Sequence, residues 1–495
     1  MNDFPTPPMV TITASSPSLR ALLDAQRRAF LAEGPPAAEI RVNRIDRLID
    51  LLCTEAEALV AAMRKDFGHR SWVQSMATDA IGLIPSLKLS RDNVKRWMKP
   101  TRRSSGIMSL LGARAWIEWQ PRGVVGVISP WNFPVALSLQ PAAQALAAGN
   151  RVMLKLSEFA PHTAEVLQRS IAQRFDPAEV VTVTGGVEIG AEFSRLPFDH
   201  LLFTGATSIG RHVQRAAAEN LVPVTLELGG KSPAVVAPDA DLHRAAKRIA
   251  VGKLLNAGQI CVAPDYVFVP AGRERTFVKA FHDAVATMLP RLLDNDDYTS
   301  IVNEHHYLRL LGYLDDARTK GAEIIEINSA QEDFTKQLHH KIAPTMLLNL
   351  RDDMRIQHEE IFGPLLPVMT YGDIGEVITY INARPRALGA YYFGGDTPAR
   401  RRFLAHTTSG GVTINDVLMH CANENLPFGG VGDSGMGAYH GRDGFETLSH
   451  GKAVQCAPIF SANRILQPPY GPRLRKLLSW SGVREGKAAA ARLAK

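Results

Sequence analysis

A thiol and a carboxylate, Cys261 and Glu227, lie 34 positions apart in surroundings that suit covalent catalysis. Cys261 ends the run Gly-Gln-Ile-Cys at 258–261, between an apolar helix-like run at 251–255 and a β-like run at 266–269. At such a junction a thiol is accessible to substrate, and nearby backbone N–H groups can lower its pKa. Taken alone, the position also fits an ordinary buried cysteine, because free cysteine packs like a small hydrophobic residue.

The carboxylate lies at the end of a predicted strand. Residues 222–228 alternate, so Glu227 faces away from the apolar side chains, and two glycines follow at 229–230. A functional carboxylate would lie at this carboxyl edge, where open α/β sheets bind ligands. A solvated glutamate at a strand end is the alternative that this segment alone leaves open.

The amide of Asn132 is a third candidate group. It lies in the run Pro-Trp-Asn-Phe-Pro at 130–134, which follows an apolar strand-like run at 124–129. Its position before a predicted helix favours the helix N-cap. The alternative is that its amide donates a hydrogen bond to an oxyanion.

Two glycine patterns suggest phosphate sites. The turn at 205–210 follows a strand-like run and opens a helix, which is the setting of a dinucleotide phosphate site. Arg211 and His212 stand where a P-loop has Lys followed by Ser or Thr, so that motif is excluded. Residues 430–435 match G-x-G-x-x-G, but no strand precedes them, and we interpret the match as accidental.

The charge of the 495-residue chain, +7 at pH 7, is unevenly placed. Residues 464–495 hold eight of the 56 Lys and Arg and one of the 49 Asp and Glu, so the rest carries 48 of each sign. A basic tail on a neutral body is not the basic groove of a nucleic-acid-binding protein.

In the tail, Leu474, Leu477 and Leu478 share a predicted helical face. We expect it to pack over a partner subunit or the substrate entrance; contact with an anionic membrane surface is the alternative, without a stable hydrophobic anchor.

Cysteine and histidine usage indicates neither disulfides nor metal. The chain has four cysteines without a C-x-x-C pair, and Cys53, Cys421 and Cys456 are interpreted as ordinary buried residues. The adjacent pairs at 305–306 and 339–340 favour solvated loop histidines over a metal site. With no secretory signal pattern and no run of about 18 apolar residues, we expect a soluble, cytoplasmic protein.

The elements that must position these residues belong to an α/β fold. The pattern is helical from Leu19 to about Trp97, and from Gly123 short β-like runs alternate with helix-like segments. Such alternation predicts a mostly parallel sheet. A second alternating series runs from Pro233 to about Asn415, and the length of the chain also predicts more than one domain.

Together these segments resemble the aldehyde dehydrogenase superfamily over roughly residues 20–455. The resemblance rests on seven motifs in a fixed order: 130–134, Lys-Leu-Ser-Glu at 155–158, Phe-Thr-Gly at 203–205, 226–233, 258–261, Glu-Ile-Phe-Gly-Pro at 360–364 and Pro-Phe-Gly-Gly at 427–430. Residues 409–416 and 434–441 are similar to the class 3 branch, and within it to bacterial coniferyl aldehyde dehydrogenases.

The resemblance implies NAD(P)-dependent oxidation of an aldehyde, here an aromatic, coniferyl aldehyde-like one, to the carboxylic acid. It implies that Cys261 forms a thiohemiacetal and then a thioester, that Asn132 and the Cys261 N–H hold the oxyanion, and that Glu227 activates the hydrolytic water. The chemistry needs such groups, because a hydride leaves the carbonyl carbon only after a nucleophile has made it tetrahedral, and the thioester needs a base for hydrolysis. No metal is implied.

The resemblance also implies the contacts with the cofactor. Lys155 and Glu158 match positions that contact the adenosine ribose, and Glu360 matches the contact with the nicotinamide ribose. Glu158 would repel a 2′-phosphate and favour NAD, although NADP stays an alternative because Leu156 and Ala206 replace the usual proline and serine. The full set of expected cofactor-binding residues is Ser129, Pro130, Trp131, Lys155, Ser157, Glu158, Gly185, Phe203, Thr204, Gly205, Ala206, Thr207, Gly210, Leu228, Glu360 and Phe362.

The implied architecture is an aldehyde dehydrogenase-like α/β fold, with a Rossmann-type dinucleotide-binding domain, a second α/β catalytic domain and an oligomerisation arm that completes a homodimer. We expect a flexible lead-in at 1–17, the NAD(P)-binding domain at 18–228 with an oligomerisation hairpin at about 106–121, the catalytic domain at 229–416, the arm and closing loop at 417–455, and the basic tail at 456–495.

Three other functions are weighed against this one. A medium- or long-chain aliphatic (fatty) aldehyde dehydrogenase would share the same chemistry. A CoA-acylating dehydrogenase would transfer the acyl group to CoA, and the presence of Glu227 argues against it. An inactive binding or structural relative would be expected to have lost Cys261 or Glu227, and both are present.

Overall fold

The computed structural model describes residues 18–458 and 467–494, and these fall into two compact units. The first unit runs to Met98 and resumes at Gln120–His450; the second comprises Lys99–Trp119 and the residues from Gly451 onward. The predicted lead-in at 1–17 and part of the predicted tail, 459–466, lie outside the described residues.

The first unit begins with four α-helices, in the segment from Leu19 to Trp97 whose sequence predicts helix. In the longest of them Ile45, Leu48, Leu52 and Leu59 recur at helical spacing, and all four are fully buried. These helices are α1 (Leu19–Glu33), α2 (Ala38–Asp66), α3 (Trp72–Thr78) and α4 (Ile84–Trp97).

A six-stranded sheet follows in the first unit, in the order β15-β7-β6-β3-β4-β5. Its strands are β3 (Val124–Ile128), β4 (Arg151–Lys155), β5 (Val180–Val183), β6 (His200–Thr204), β7 (Val224–Glu227) and β15 (Gly435–Met436). Helices α5 (Ala136–Ala147), α6 (Pro161–Ala172), α7 (Val187–Ser194) and α8 (Thr207–Ala218) alternate with them. Only β15 is antiparallel to its neighbour.

The carboxyl ends of the parallel strands in this sheet share one edge. In the register of the ladder, Ile128 pairs with Lys155 and Thr204 pairs with Glu227. Strands β3, β4 and β6 are buried along their whole length, which explains why the sequence of β3 is apolar on both faces. This edge is where ligands bind in open α/β sheets.

A seven-stranded sheet forms the rest of the first unit, in the order β10-β11-β12-β9-β8-β13-β14. Its strands are β8 (Pro233–Val236), β9 (Tyr266–Pro270), β10 (Glu323–Glu326), β11 (Thr345–Leu348), β12 (Leu365–Tyr371), β13 (Gly389–Phe393) and β14 (Gly411–Ile414). Its helices are α9 (Leu242–Leu254), α10 (Glu274–Met288), α11 (Glu304–Thr319), α12 (Ile374–Asn382) and α13 (Pro398–His406), followed by α14 (Met419–Ala422) and α15 (Gly441–Thr447). The predicted α/β fold with mostly parallel sheets is confirmed.

The second unit contains a three-stranded sheet, β1 (Thr101–Arg103), β2 (Arg114–Pro121) and β16 (Ser449–Cys456), and the helix α16 (Pro472–Leu493). The hairpin expected at 106–121 starts earlier, because Thr101 pairs with Ile117, and the intervening residues form a short 3-10 helix at Gly106–Leu111. Every residue of α16 is exposed except Leu474, which is half-buried. Within the described residues, no helix is both long and apolar enough to cross a bilayer.

Candidate active site

Glu227 is the last residue of β7 and is almost completely buried. Its carbonyl oxygen accepts a hydrogen bond from the Gly205 N–H at 3.0 Å, and its backbone also pairs with Gly435 of β15. The side chain reaches no hydrogen-bond donor among the described residues, since both carboxylate oxygens are buried without a partner. Burial raises the pKa of Glu227 well above its ordinary value. A carboxylate in this state readily takes up a proton, which is the property of a general base.

Cys261 lies in the predicted junction between a helix and a strand. Helix α9 ends at Leu254, a short 3-10 helix covers Leu255–Gly258, and β9 starts at Tyr266. Asn256 and Ala257 have φ angles of 49° and 51°, and Gly258 follows with a φ of 76°. Backbone in this left-handed region is costly for residues other than glycine, and such strain collects at functional sites. The turn places Cys261 in a partly exposed position.

The surroundings of the Cys261 sulfur do not favour a resting thiolate. Burial by the atoms around it raises the pKa of the thiol well above its ordinary value, and Cys421, Glu360 and Glu227 add to the effect by repelling negative charge. The thiol is therefore neutral at rest, so a base or a nearby positive charge is needed before it attacks. Because Glu227 acts electrostatically on Cys261, the two groups belong to the same site.

Asn132 does not cap a helix, so the prediction of an N-cap is wrong. Helix α5 starts at Ala136, four residues later, and its N-cap position is Val135. The Ala136 N–H donates instead to Asp79 Oδ1 at 2.5 Å. A carboxylate from α3's C-terminal end thus stabilises the helix N-terminus, which leaves the Asn132 side chain available for another role.

The Asn132 side chain reaches the turn that carries Cys261. Its Nδ2 donates to the carbonyl oxygen of Gln259 at 3.1 Å, and Asn256 Nδ2 donates to the Asn132 carbonyl oxygen at 3.1 Å. Asn132 is 4% exposed. An amide tied to the residues just before a nucleophile is well placed to donate its remaining N–H to an oxyanion.

The N-terminus of α8 provides an anion site next to Glu227. Ala206 is its N-cap and makes no side-chain capping bond, so the first N–H groups of the helix keep no side-chain acceptor there. A Cβ on Gly210 would lie 2.6 Å from Leu228 Cδ2, so a larger residue there would displace the Leu228 side chain. Thr207 Oγ1 donates to the Asp433 carbonyl oxygen at 3.1 Å.

Lys155 and Glu158 form a pair after β4. Lys155 Nζ donates to Glu158 Oε2 at 2.9 Å, with Lys155 buried and Glu158 reaching solvent. Ser129 donates from both its N–H and its Oγ to the Lys155 carbonyl oxygen, at 3.0 and 3.2 Å. Ser157 Oγ accepts from the Phe159 N–H at 3.3 Å. A cation and a carboxylate side by side suit the two hydroxyls of a ribose, which donate to the carboxylate and accept from the ammonium.

Glu360 closes the other side of the site. A Cβ on Gly229 would overlap its carboxylate, and the Gly230 N–H donates to it. Burial raises the pKa of Glu360 to about 7. A cavity of about 200 Å³ opens here, lined by Thr207 and Arg211 of α8 and by Gly229, Gly230, Lys231, Gln357, His358, Glu360, Arg384, Pro385, Arg386 and Asp433.

The remaining predicted cofactor-binding residues lie around the same carboxyl edge of the six-stranded sheet. Some of them only pack against the residues that would contact the cofactor. Phe203 is buried, and its ring lies beneath the turn, where a Cβ on Gly205 would meet it at 2.6 Å. Thr204 is buried and its Oγ1 has no hydrogen-bond partner, so this hydroxyl is free to form a hydrogen bond with a ligand. The rings of Trp131 and Phe362 meet edge to face at 5.4 Å. Pro130 precedes Trp131, and Gly185 lies in the turn before α7.

These features fit a dinucleotide. The helix N-terminus and the cations of the cavity suit a pyrophosphate, and the Lys155–Glu158 pair and Glu360 suit two riboses. The buried Thr204 hydroxyl, which has no hydrogen-bond partner, is the observation that points to a ligand rather than to internal packing.

Several residues near the site differ from the sequence expectations or were missed. His305 and His306 are in the first turn of α11, not in a loop, and the His306 ring packs 5.1 Å from Trp131, where burial lowers its pKa to about 4. Cys53 is exposed rather than buried, since it lies on the outer face of α2. Arg70 was missed, because its hydrogen bond to Asn132 joins residues 62 positions apart. No group of three His, Cys, Asp or Glu among the described residues could hold a metal ion.

Comparison with known proteins gives one consistent family. The sequence profile of the aldehyde dehydrogenase family matches residues 11–454. The coniferyl aldehyde dehydrogenase of Pseudomonas sp. strain HR199 is 49% identical over 462 residues, which cover 93% of this chain and 95% of that protein. The similarity therefore extends over nearly the whole of both sequences.

Solved structures agree with the sequence comparison. A substrate-bound structure of Staphylococcus aureus AldH superposes with a TM-score of 0.87 at 34% identity, covering 94% of this chain and 100% of that one. A point mutant of the betaine aldehyde dehydrogenase of Staphylococcus aureus in complex with NAD+ superposes with a TM-score of 0.79 at 27% identity, covering 90% of each chain.

Proposed function

The chain belongs to the aldehyde dehydrogenase family, and we propose that it oxidises an aromatic, coniferyl aldehyde-like substrate to the carboxylic acid with NAD+. As a member of this family it is an oxidoreductase that converts aldehydes to acids. The observation that carries the proposed mechanism is the convergence of three groups: the Asn132 amide is bonded to the turn that carries Cys261, and the buried Glu227 carboxylate acts electrostatically on the Cys261 thiol.

Cys261 is the nucleophile in this proposal. Its thiol is neutral at rest, so the thiol proton passes to solvent, to which Cys261 is partly exposed, as the sulfur attacks the aldehyde carbon. The carbonyl oxygen becomes an oxyanion, to which Asn132 Nδ2 and the Cys261 N–H donate. These donors stabilise the tetrahedral thiohemiacetal more than the planar aldehyde, which is what lowers the barrier.

The thiohemiacetal on Cys261 becomes a thioester when its hydride leaves, and a bound nicotinamide would supply the acceptor for that hydride. Lys155, Glu158 and Glu360 would hold the two riboses, and the N-terminus of α8 would hold the pyrophosphate. Glu158 favours NAD over NADP because a carboxylate next to the ribose repels a 2′-phosphate.

Glu227 then acts as the general base of hydrolysis. It takes a proton from water as the water attacks the thioester, and Cys261 leaves as a thiolate that recovers the proton. The raised pKa of Glu227 brings its basicity closer to that needed at neutral pH. Hydrolysis by a protein-held base separates this proposal from a CoA-acylating enzyme, for which added CoA would be required for turnover.

The aromatic substrate is supported by the coniferyl aldehyde dehydrogenase relative and by the class 3-like motifs at 409–416 and 434–441. A medium- or long-chain aliphatic aldehyde is the second candidate. The test is the rate of NADH or NADPH formation with coniferaldehyde, benzaldehyde, and short- and long-chain aliphatic aldehydes, each with NAD and with NADP. The proposal expects the highest kcat/KM for coniferaldehyde with NAD, and a large advantage of long-chain aldehydes over every aromatic one would overturn it.

The same proposal assigns a role to each predicted domain. Residues 18–228 would bind the cofactor, residues 229–416 would carry the nucleophile, and the hairpin and residues 417–455 would complete a homodimer in the cytoplasm. The basic tail would pack over the partner subunit or the substrate entrance. Sedimentation of the full chain and of a chain ending before Pro472 tests the dimer and the role of α16 in it.

A further inference from the structure

A buried arginine and a buried aspartate hold the segment that carries Asn132. Arg70 is 1% exposed and Asp79 is 0% exposed. Arg70 Nη1 donates to the Asn132 carbonyl oxygen at 2.9 Å, and Arg70 Nη2 lies 3.4 Å from Asp79 Oδ2. Asp79 Oδ1 accepts from the Ala136 N–H at 2.5 Å. The two side chains therefore fix both ends of the segment 132–136.

Aromatic rings fix the Arg70 guanidinium in turn. Its central carbon lies 4.6 Å from the centre of the Phe67 ring and 5.4 Å from that of Phe133. A planar guanidinium can pack against rings while it donates to two acceptors with a fixed geometry. A lysine ammonium group is not planar and cannot present two N–H donors in a fixed geometry, so lysine would not reproduce the arrangement.

The Asn132 peptide is held from its other side by the turn before Cys261. Asn256 Nδ2 is the second donor to the Asn132 carbonyl oxygen, at 3.1 Å, so both lone pairs of that oxygen are used. The Asn132 amide then donates to the Gln259 carbonyl oxygen. Gln259 is fully buried, and its own side chain bonds to Asn256, Ser300 and Val302. Arg70 is thus joined through Asn132 to the turn that positions the nucleophile.

Stability alone is a poor reason for this arrangement. Removing two charges from water is costly, and a buried ion pair is often no more stabilising than apolar residues of the same volume. The charged pair instead orients the segment, because apart from the contact between Arg70 and Asp79 its hydrogen bonds end on the Asn132 carbonyl oxygen and on the Ala136 N–H at the start of α5.

We propose that Arg70, supported by Asp79, is a positioning residue of the oxyanion site: it fixes the Asn132 backbone so that the Asn132 amide and the Cys261 N–H point to the same oxygen. Arg70 touches neither substrate nor cofactor and acts only through Asn132. The inference rests on the proposed function, in which Asn132 holds the oxyanion. Without Arg70 the amide loses its alignment, and a small misplacement in an active site can lower the rate by about 10²-fold.

A double-mutant cycle tests this directly. It compares kcat/KM for one aromatic aldehyde in the parent, Arg70→Met, Asn132→Ala and the double variant. We expect Asn132→Ala to lower kcat/KM by about 10²- to 10³-fold, as the loss of an oxyanion donor does. Arg70→Met alone should cost about 10- to 10²-fold. In the Asn132→Ala background it should cost almost nothing further, because the group through which it acts is already gone.

Arg44→Met is the matched control. Arg44 is 2% exposed and forms ion pairs with Glu33 and Glu179, but it bonds to no residue of the Asn132 segment. Its loss should lower the thermal midpoint while kcat/KM per folded enzyme stays unchanged, in both backgrounds. The dissociation constant of NAD+, measured by quenching of tryptophan fluorescence, should stay unchanged in Arg70→Met. If Arg70→Met does not fold, Arg70→Lys takes its place in the cycle. This variant keeps the positive charge but loses the paired N–H donors of the guanidinium group.

The outcomes separate the inference from the function on which it rests. Losses that multiply in the double variant, or an Arg70 variant with the parent's kcat/KM, would overturn the role of Arg70 while leaving a strongly impaired Asn132→Ala intact. An Asn132→Ala variant as active as the parent would instead overturn the proposed oxyanion site. Coupling between Arg70 and Asn132, with none between Arg44 and Asn132, supports the inference.

Discussion

Replacing Glu227 with glutamine should separate the two halves of the reaction. The two side chains have the same shape, and neither Glu227 oxygen has a hydrogen-bond partner among the described residues, so no protein contact is lost. The buried carboxylate also disappears, so the free energy of unfolding should not fall. Because a general base contributes about 10²- to 10⁴-fold, hydrolysis of the thioester should slow by this factor, an added barrier of about 3–5 kcal/mol.

The assay is rapid mixing of enzyme and NAD+ with excess aldehyde, followed by NADH absorbance. Glu227→Gln should give a burst approaching one NADH per active site and then a slow steady rate, because the acyl-enzyme forms and accumulates. The steady rate of the parent should rise with pH as Glu227 ionises, from a pKa above the ordinary 4.5. This rise should be absent in the variant.

Glu424→Gln is the matched control for this experiment. Glu424 is another buried carboxyl, with a pKa raised by burial to about 7, and its Oε1 accepts from Gln140 Nε2 at 2.7 Å, a bond that glutamine keeps. It should show no stalled burst. A parent-like steady rate in Glu227→Gln, or the same stall in Glu424→Gln, would refute the assignment of the base to Glu227.

Two further outcomes follow from charges near the site. Glu158→Gln should raise the ratio of kcat/KM with NADP to that with NAD, since the carboxylate beside Lys155 no longer repels a 2′-phosphate; an unchanged ratio would remove Glu158 from cofactor selection. For Glu424 the folded-state pKa of about 7 exceeds the ordinary 4.5, so its contribution to stability is complete below 4.5 and is lost as the pH rises through 7, by about 3 kcal/mol. Glu424→Gln should therefore be more stable than the parent in urea at about pH 8 and similar at about pH 4; parallel pH profiles would contradict this.

Local sequence patterns predict those parts of the site that neighbouring residues determine. The strand-turn-helix at β6 and α8, the junction that carries Cys261 and the strand end that carries Glu227 all follow from alternation and from glycine placement. Each of these signals concerns a few consecutive residues, so the sequence alone displays it.

Contacts between segments that are distant in the sequence explain which features of the site could not be predicted. The N-cap expectation for Asn132 was wrong because Asp79, 57 positions before Ala136, supplies the carboxylate that accepts from the Ala136 N–H of α5. The position of His306 against Trp131 likewise depends on how α11 packs on the segment at 130–134. The role of Arg70 has no local signal, since a single arginine in a sequence indicates a surface residue unless its partners are known.

Locating the acyl group on the chain is the most direct test of which residue is the nucleophile. Glu227→Gln is mixed with NAD+ and an aromatic aldehyde, quenched with acid before hydrolysis, digested, and analysed by mass spectrometry. The account predicts one acyl group per chain, on the peptide that contains Cys261, and none in Cys261→Ala, which should also form no NADH. Acylation of Cys421 instead, or NADH formed by Cys261→Ala at the parent's rate, would contradict it.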